Sequence, residues 1–450
     1  MFRRELRDTL HLAIPVVLTQ VGSVAMGIVD TIMVGRLGPE PLSAVALGNA
    51  LTFTILIVCL GTLSALDPLV AQAYGAGRFT ECGRVMHHGA FLAVVLALPA
   101  LLLIACARPM LRLLGQSPEL VDAASHYAYA IAPGVLPFLL FTVLRQFMQG
   151  LSRARPALFV MIFANLLNVF GNWVLVYGNL GAPALGATGS AWSTTIARSA
   201  MFLLLAGWVF SRRHLRPYLT HLPPWPPDRK LLLRLARLGL PAGGQFGLEV
   251  GVFACTAMFM GWFGTLQLAG HQIAINLCST TFMVPLGCSA TAAVRVGQAL
   301  GRHDVAGARR AALAAGTLGV GFMAVAALCF ALFPEFFVRI YTDDAELVGM
   351  GVSLLLVGAA FQLSDGTQVI AIGSLRGAAD TRFPMLVSAV AYWLVALPLG
   401  WALAFPLGWG PRGLWWGLTL GLTLVGVTLA LRFHHRVREH RLQAMQALDA

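Results

Sequence analysis

The sequence predicts an all-α polytopic membrane protein with twelve transmembrane helices in two six-helix lobes, related by a pseudo-two-fold axis along the membrane normal. Three observations carry this. Apolar runs of about 20 residues, the length that crosses a bilayer as a helix, follow one another from end to end. Basic residues crowd every second connection and are scarce in the others. An offset of 226 residues brings the second half of the chain onto the first.

Composition excludes the main soluble classes. Of 450 residues, 58% are hydrophobic and 11% charged, against about 25% charged in an ordinary soluble domain; the mean hydropathy is +0.77. A net charge of +12 would suggest nucleic acid in a soluble chain. Here the basic residues lie in short connections, where they set topology, so no nucleic acid is expected as a partner. The seven cysteines (59, 82, 106, 255, 278, 288, 329) include no CxxC pair and mostly lie in apolar spans, which implies neither a disulfide framework nor a zinc site.

MFRRELRDTL runs into an apolar stretch longer than a signal-peptide core and without a small-residue cleavage site, so it reads as a retained first helix. Charges, Gly/Pro clusters and turn residues bound helices near 11–36, 44–72, 87–107, 122–148, 157–177, 184–210, 236–263, 269–291, 309–333, 347–374, 383–405 and 413–432. Spans this long satisfy their backbone groups in hydrocarbon only as helices, and β-barrel alternation is absent. The Pro- and Arg-rich stretch 211–235 reads as a cytoplasmic linker between an N-lobe (1–210) and a C-lobe (236–432), with a basic tail over 433–450. With a cytoplasmic N-terminus, 24 Lys and Arg residues fall inside and five outside (Arg36, Arg108, Arg112, Arg339, Arg412), leaving Arg145 and Arg198 within helices. That bias places both termini in the cytoplasm.

The 226 offset aligns Pro15 with Pro241, Gly35 with Gly261, Gly38 with Gly264, Val58 with Val284, Gly61 with Gly287 and Gln72 with Gln298. An offset of 227 continues it through Gly150 and Gly377, Gly181 and Gly408, Gly186 and Gly413. Six helices per half and a cytoplasmic linker give both halves one orientation, hence a central cleft suited to alternating access. Duplicated bundles also occur in membrane enzymes and channels. The two aligned prolines each remove a backbone bond and permit bending or a fixed kink.

Ionisable groups within spans are costly and mark ion or proton pathways. Three acids lie away from helix ends: Asp30 in GSVAMGIVDTIMVG, Glu249 in GGQFGLEVGVFA and Asp365 in AAFQLSDGTQVIA. None has a basic residue one turn away, so each must take up a proton, hold a cation, or serve as a hydrogen-bonded structural acid. Asp67, next to Pro68, reads as structural, and Asp343, Asp344 and Glu346 as a solvated loop run. In ANLLNVFGNWVL, Asn168 and Asn172 share a helix face at i, i+4, with Asn165 nearby. With Thr194 and Asp30 they offer the oxygen ligands a hard cation prefers, a proton relay, or interhelical packing. Gln272 and Asn276 of AGHQIAIN add polarity near Glu249, while the adjacent His271 faces periplasmic water. The offset places Asp30 on Thr256 and Glu249 on Ser23, so one polar site is expected in each half.

The loops YGAGR (74–78) and LGRHD (300–304) recur in both halves. With no GxxxxGK[ST] they read as helix caps and hinges, and no nucleotide partner is expected. HExxH, GxSxG and a catalytic Cys/His pair are also absent, so neither an enzyme nor a cofactor is expected.

Several motifs occur in order across nearly the whole chain: VDTIMVGRLG, LSAVALG, VAQAYGAG, MQG with RP close behind, AGHQIAIN, VRVGQALG and LRGAADTRFP. Together they resemble the multidrug and toxic compound extrusion (MATE) family, in its NorM-like branch. The resemblance implies a V-shaped cleft and antiport, in which inward sodium or proton flow drives export of amphipathic, often cationic, compounds from a bacterial-type inner membrane. Asp30 matches the helix-one acid of the family's N-lobe network, Asn168 and Asn172 its helix-five amides, and Thr194 its helix-six member. Glu249 and Asp365 match the C-lobe acids implicated in sodium binding. Phe361 stands where members of the branch can carry Tyr, keeping a π face and losing a hydroxyl. Met258, Met260 and Met283 suit an apolar cleft wall for flat organic cations, with Phe361, Gln272 and Asn276. A monomer with two lobes suffices, and membrane lipid is the other expected partner. A lipid-linked precursor flippase, which would show arginines in its cleft, and a membrane transferase remain alternatives.

Overall fold

The computed structural model describes residues 2–219 and 228–449. Residues 220–227 of the expected linker, the last residue of the tail and the side chains of residues 439–449 lie outside the described residues.

The described chain is helical throughout. Twelve long helices are α1 Phe2–Gly35, α2 Pro39–Gly75, α3 Phe79–Ala105, α4 Pro118–Gly150, α5 Arg155–Leu175, α6 Gly186–Ser211, α7 Arg229–Gly261, α8 Thr265–Gly301, α9 Val305–Leu332, α10 Ala345–Gly377, α11 Arg382–Ala404 and α12 Pro411–Asp449. Eleven are long and apolar enough to cross a membrane; α7, at 33 residues, has the length but opens with the basic run RKLLLRLAR. The protein is an all-α polytopic membrane protein.

Several helices depart from the expected regularity for local reasons. α2 breaks at Ser64, whose hydroxyl donates to Gly61 O at 2.6 Å, and resumes at Leu66. α4 tightens into a 3-10 turn over Ala132–Gly134, around Pro133. α11 carries a π-helical turn over Val390–Ala396, where the Leu397 N–H bonds Tyr392 O, five residues back. Pro398, just beyond, has no N–H to continue the ordinary ladder. α7 begins inside the expected linker, and α12 runs on through the expected tail to Asp449. Asp344, expected in a solvated run, caps α10 by accepting from Leu347 N at 2.8 Å. Asp304 of LGRHD caps α9 through Gly307 N at 2.7 Å.

The duplication is visible in the backbone. Left-handed φ values recur in pairs: Gly38 (+121°) with Gly264 (+120°), Gly77 (+71°) with His303 (+58°), Ser152 (+58°) with Ala379 (+58°), and Gly181 (+80°) with Gly408 (+70°). At Gly38 and Gly264 the conformation suits only glycine, which explains why both halves carry one there.

Two compact units make up the chain. The N-unit is Leu18–Gly243; the C-unit is Met1–Val17 with Gly244–Ala450. The divisions fall inside α1 and α7, just past Pro15 and Pro241. In the N-unit, the start of α7 packs on α2: Leu235 is buried in the core, and a Cβ on Gly239 would strike Thr62 O. In the C-unit, the start of α1 packs on α8: a Cβ on Gly287 would lie 2.8 Å from Val17 Cα. Arg295 of α8 binds Glu5 of α1 at 2.6 Å, with 16% and 19% of their side chains exposed. Lipid tails give helices no hydrophobic reason to associate, so small residues that let backbones approach do this work.

Candidate functional site

Each unit gathers one polar cluster around a carboxylate on its leading long helix. In the N-unit, α5 turns Asn168 and Asn172 onto one buried face, both fully excluded from solvent, and Asp30 of α1 is 2% exposed. Asp30 Oδ1 accepts Asn168 Nδ2 at 3.1 Å and Asn172 Nδ2 at 2.7 Å. Its Oδ2 accepts the Thr194 hydroxyl of α6 at 2.7 Å. Asn168 Nδ2 also reaches Thr194 Oγ1 at 3.2 Å, and Ser193 Oγ donates to Asn168 O at 2.9 Å. Small residues bring α5 and α6 this close: a Cβ on Gly171 would lie 2.5 Å from Ser193 Oγ. Every donor to Asp30 is neutral, and among the described residues no Lys, Arg or His forms an ion pair with it. Asn172 Oδ1 is buried with no donor, which leaves an oxygen available beside the carboxylate. Asn165 stands apart, bonding Gly22 O at 3.1 Å and Met161 O at 2.9 Å.

In the C-unit, Glu249 of α7 and Asp365 of α10 are joined through Gln368, which sequence reasoning did not single out. Gln368 Nε2 donates to Glu249 Oε1 at 3.0 Å and to Asp365 Oδ1 at 3.3 Å. Its own Oε1 accepts the Tyr392 hydroxyl from the π turn of α11. Gln368, Tyr392 and Asp365 are buried, while Glu249 is half-buried. Two acids thus share one neutral amide, with no cationic side chain paired to either among the described residues. The signal for Gln368 was present: it sits one turn after Asp365 in a span where an amide needs partners.

The remaining expected residues are placed differently. Phe361 is 1% exposed, its ring edge-on to Trp415 with centroids 5.5 Å apart. It belongs to the core and presents no open π face. Gln272 and Asn276 lie on one exposed face of α8, where Asn276 O accepts the Thr280 hydroxyl at 2.8 Å; no hydrogen bond ties them to Glu249. Met258 is exposed and Met260 buried, and Met283 is half-buried. His271, expected to face water, is buried and accepts Trp415 Nε1 at 3.2 Å. The two helical arginines are engaged within the protein: Arg145 donates to Gln20 Oε1 at 2.7 Å, and Arg198 lies 4.7 Å from the Phe138 ring centroid. Among the described residues, no group of three or more His, Cys, Asp or Glu side chains is placed so that it could hold a metal ion.

A family model decides the relationship. The MatE model matches residues 15–174 and again 241–402, starting at the two prolines that the 226 offset aligns. The chain belongs to the MatE family. It is 38% identical to the "Probable multidrug resistance protein NorM" of Mesorhizobium japonicum, over 97% of this chain and 95% of that relative. The "Multidrug resistance protein MdtK" of Yersinia enterocolitica serotype O:8 is 36% identical over 95% of both chains. Among solved structures, the eukaryotic MATE transporter AtDTX14 superposes with a TM-score of 0.89 at 21% identity, covering 98% of this chain and 99% of that one. Membership in MatE makes the chain an integral, multi-pass membrane protein of a transporter family.

Proposed function

We propose that this MatE protein exports amphipathic, mostly cationic organic compounds by alternating access, in antiport with sodium or protons. The observation that carries the proposal is a carboxylate in each unit held only by neutral donors. Such a group needs a positive partner in a low-dielectric setting, and a proton, a sodium ion or an organic cation can each supply it.

Exchange follows from competition. Asp30, with Asn168, Asn172 and Thr194, offers an oxygen-rich seat in the N-unit; Glu249 and Asp365 offer a second in the C-unit, where sodium is a candidate ligand. A coupling cation that neutralises either seat removes the attraction that held the cargo. A difference in affinity between inward-open and outward-open states then converts this displacement into vectorial export. The exposed polar face of Gln272 and Asn276, with Met258 and Met283, suits contact with varied flat cations. No cofactor or nucleotide enters, and a monomer in a bacterial-type inner membrane, with both termini cytoplasmic, is sufficient. The names of the NorM and MdtK relatives support multidrug cargo.

The test is efflux of ethidium from proteoliposomes under a sodium gradient and a proton gradient imposed separately. Acceleration by one of the two supports antiport and names the ion; dye movement that ignores both gradients overturns it.

A further inference from the structure

The C-unit contains a second feature, apart from the carboxylate cluster. A cavity of about 470 Å³ opens between α9, α10 and α12, within the range of small-molecule sites. It lies on a different face of α10 from Asp365 and Gln368, since Thr367, Ile370, Ala371 and Ser374 line it. Its hydroxyls are already spent on their own helices: Thr317 donates to Leu313 O at 2.9 Å, Thr367 to Leu363 O at 2.7 Å and Ser374 to Ile370 O at 2.9 Å. The wall is therefore effectively apolar. Gly316 keeps it open, for a Cβ there would meet nothing nearer than Ile370 Cγ2 at 4.0 Å.

The mouth is different. Arg309, at the start of α9, and His434, late in α12, are its charged or ionisable members, and no acid lines the cavity. Two neighbouring bases are occupied: Arg310 binds Asp304 at 3.4 Å and Arg432 binds Asp380 at 3.2 Å. Arg309 is exposed and forms no ion pair among the described residues.

We infer that this cavity seats one acyl chain of an anionic phospholipid, with the lipid phosphate held at the mouth by Arg309 and His434. A chain passing from the bilayer into the cavity exchanges one apolar setting for another. Selectivity therefore arises at the mouth, where a headgroup of net negative charge pairs with the Arg309 guanidinium, whereas the choline cation of a zwitterionic headgroup offsets its own phosphate and is repelled. An organic cation entering the same cavity meets the Arg309 charge and is disfavoured.

Native mass spectrometry of the purified full-length protein, in micelles doped with phosphatidylglycerol or with phosphatidylcholine of identical chains, tests this. The wild-type protein should retain one phosphatidylglycerol, preferred about tenfold over phosphatidylcholine. Arg309→Gln, at an exposed position, should bring that preference to about twofold or less, and Arg309→Lys should restore most of it. Gly316→Leu, which fills the cavity, should release both lipids. Millimolar inorganic phosphate should displace nothing, because the chain supplies the seat. Equal retention of the two lipids by wild type, an unchanged preference in Arg309→Gln, or displacement by phosphate or by ethidium would overturn the inference. If Gly316→Leu fails to fold, the Arg309 variants decide alone.

Discussion

The Gln368 side chain holds Glu249 from 119 residues away in sequence, donating to its Oε1 at 3.0 Å while the same nitrogen reaches Asp365 at 3.3 Å. Because the Tyr392 hydroxyl fixes the amide oxygen, the amide cannot flip without losing that bond. Gln368→Leu should therefore lower the initial rate of dye efflux about tenfold or more, since a hydrogen bond to a charged group contributes about 1.5–3 kcal/mol. Tyr392→Phe, which removes one partner of the amide, should have a smaller effect in the same direction. Proteoliposome efflux under a fixed gradient reads both, and wild-type rates from Gln368→Leu would remove Gln368 from the proposed site.

In the N-unit the matching test is a hydroxyl. Thr194 donates to Asp30 Oδ2 at 2.7 Å, and valine has nearly the same shape without the donor. Thr194→Val should weaken apparent affinity for the coupling ion by about tenfold, while Thr194→Ser should stay within about threefold of wild type. The dependence of efflux on ion concentration separates the two outcomes. Equal curves for Val and Ser would show that the hydroxyl has no part in ion binding.

Close helix packing gives a stability prediction. A Cβ on Gly189 of α6 would collide with the Leu175 carbonyl, whereas Gly207 of the same helix has nothing within 4 Å. Gly189→Ala should cost about 1–3 kcal/mol, and Gly207→Ala should be neutral or slightly stabilising, since alanine is the better helix former. Thermal melts in detergent check the pair, and similar melting temperatures for both variants would contradict the packing argument.

The ion pair between Arg295 and Glu5, 2.6 Å long and mostly buried, ties the start of α1 to α8. Glu5→Ala should destabilise the protein by about 1–2 kcal/mol, between exposed and fully buried pairs. Asp8, at 3.8 Å from Arg295, compensates part of the loss. A double-mutant cycle with Arg295→Met, read by thermal melts, isolates the coupling; a coupling near zero would show that the contact is incidental.

How much the sequence discloses depends on whether a feature is local. The twelve helices follow from apolar runs that need no partner to be recognised. The paired amides Asn168 and Asn172 follow from i, i+4 spacing on one helix. The duplication is legible too, because its left-handed turns demand particular residues at Gly38 and Gly264. The burial of Phe361 and His271 is not legible in the sequence because their cover comes from Trp415, more than fifty residues further on, and periodicity does not say which helix lies opposite. Tyr392 was out of reach for a different reason. The π turn over Val390–Ala396 changes which residues of α11 share a face, and a pattern based on 3.6 residues per turn misplaces them. The assignment of Met1–Val17 to the C-unit likewise rests on contacts with α8 that no local pattern encodes.

The central proposal is that carboxylates in both units exchange a coupling cation for cargo. Its most direct test is gradient-driven ethidium efflux from proteoliposomes carrying wild type, Asp30→Asn, Glu249→Gln or Asp365→Asn, each matched for protein content and thermal stability. Antiport through these groups predicts that every neutralised variant falls about tenfold or more below wild type and loses its response to the gradient. Wild-type, gradient-dependent efflux from all three variants would contradict it.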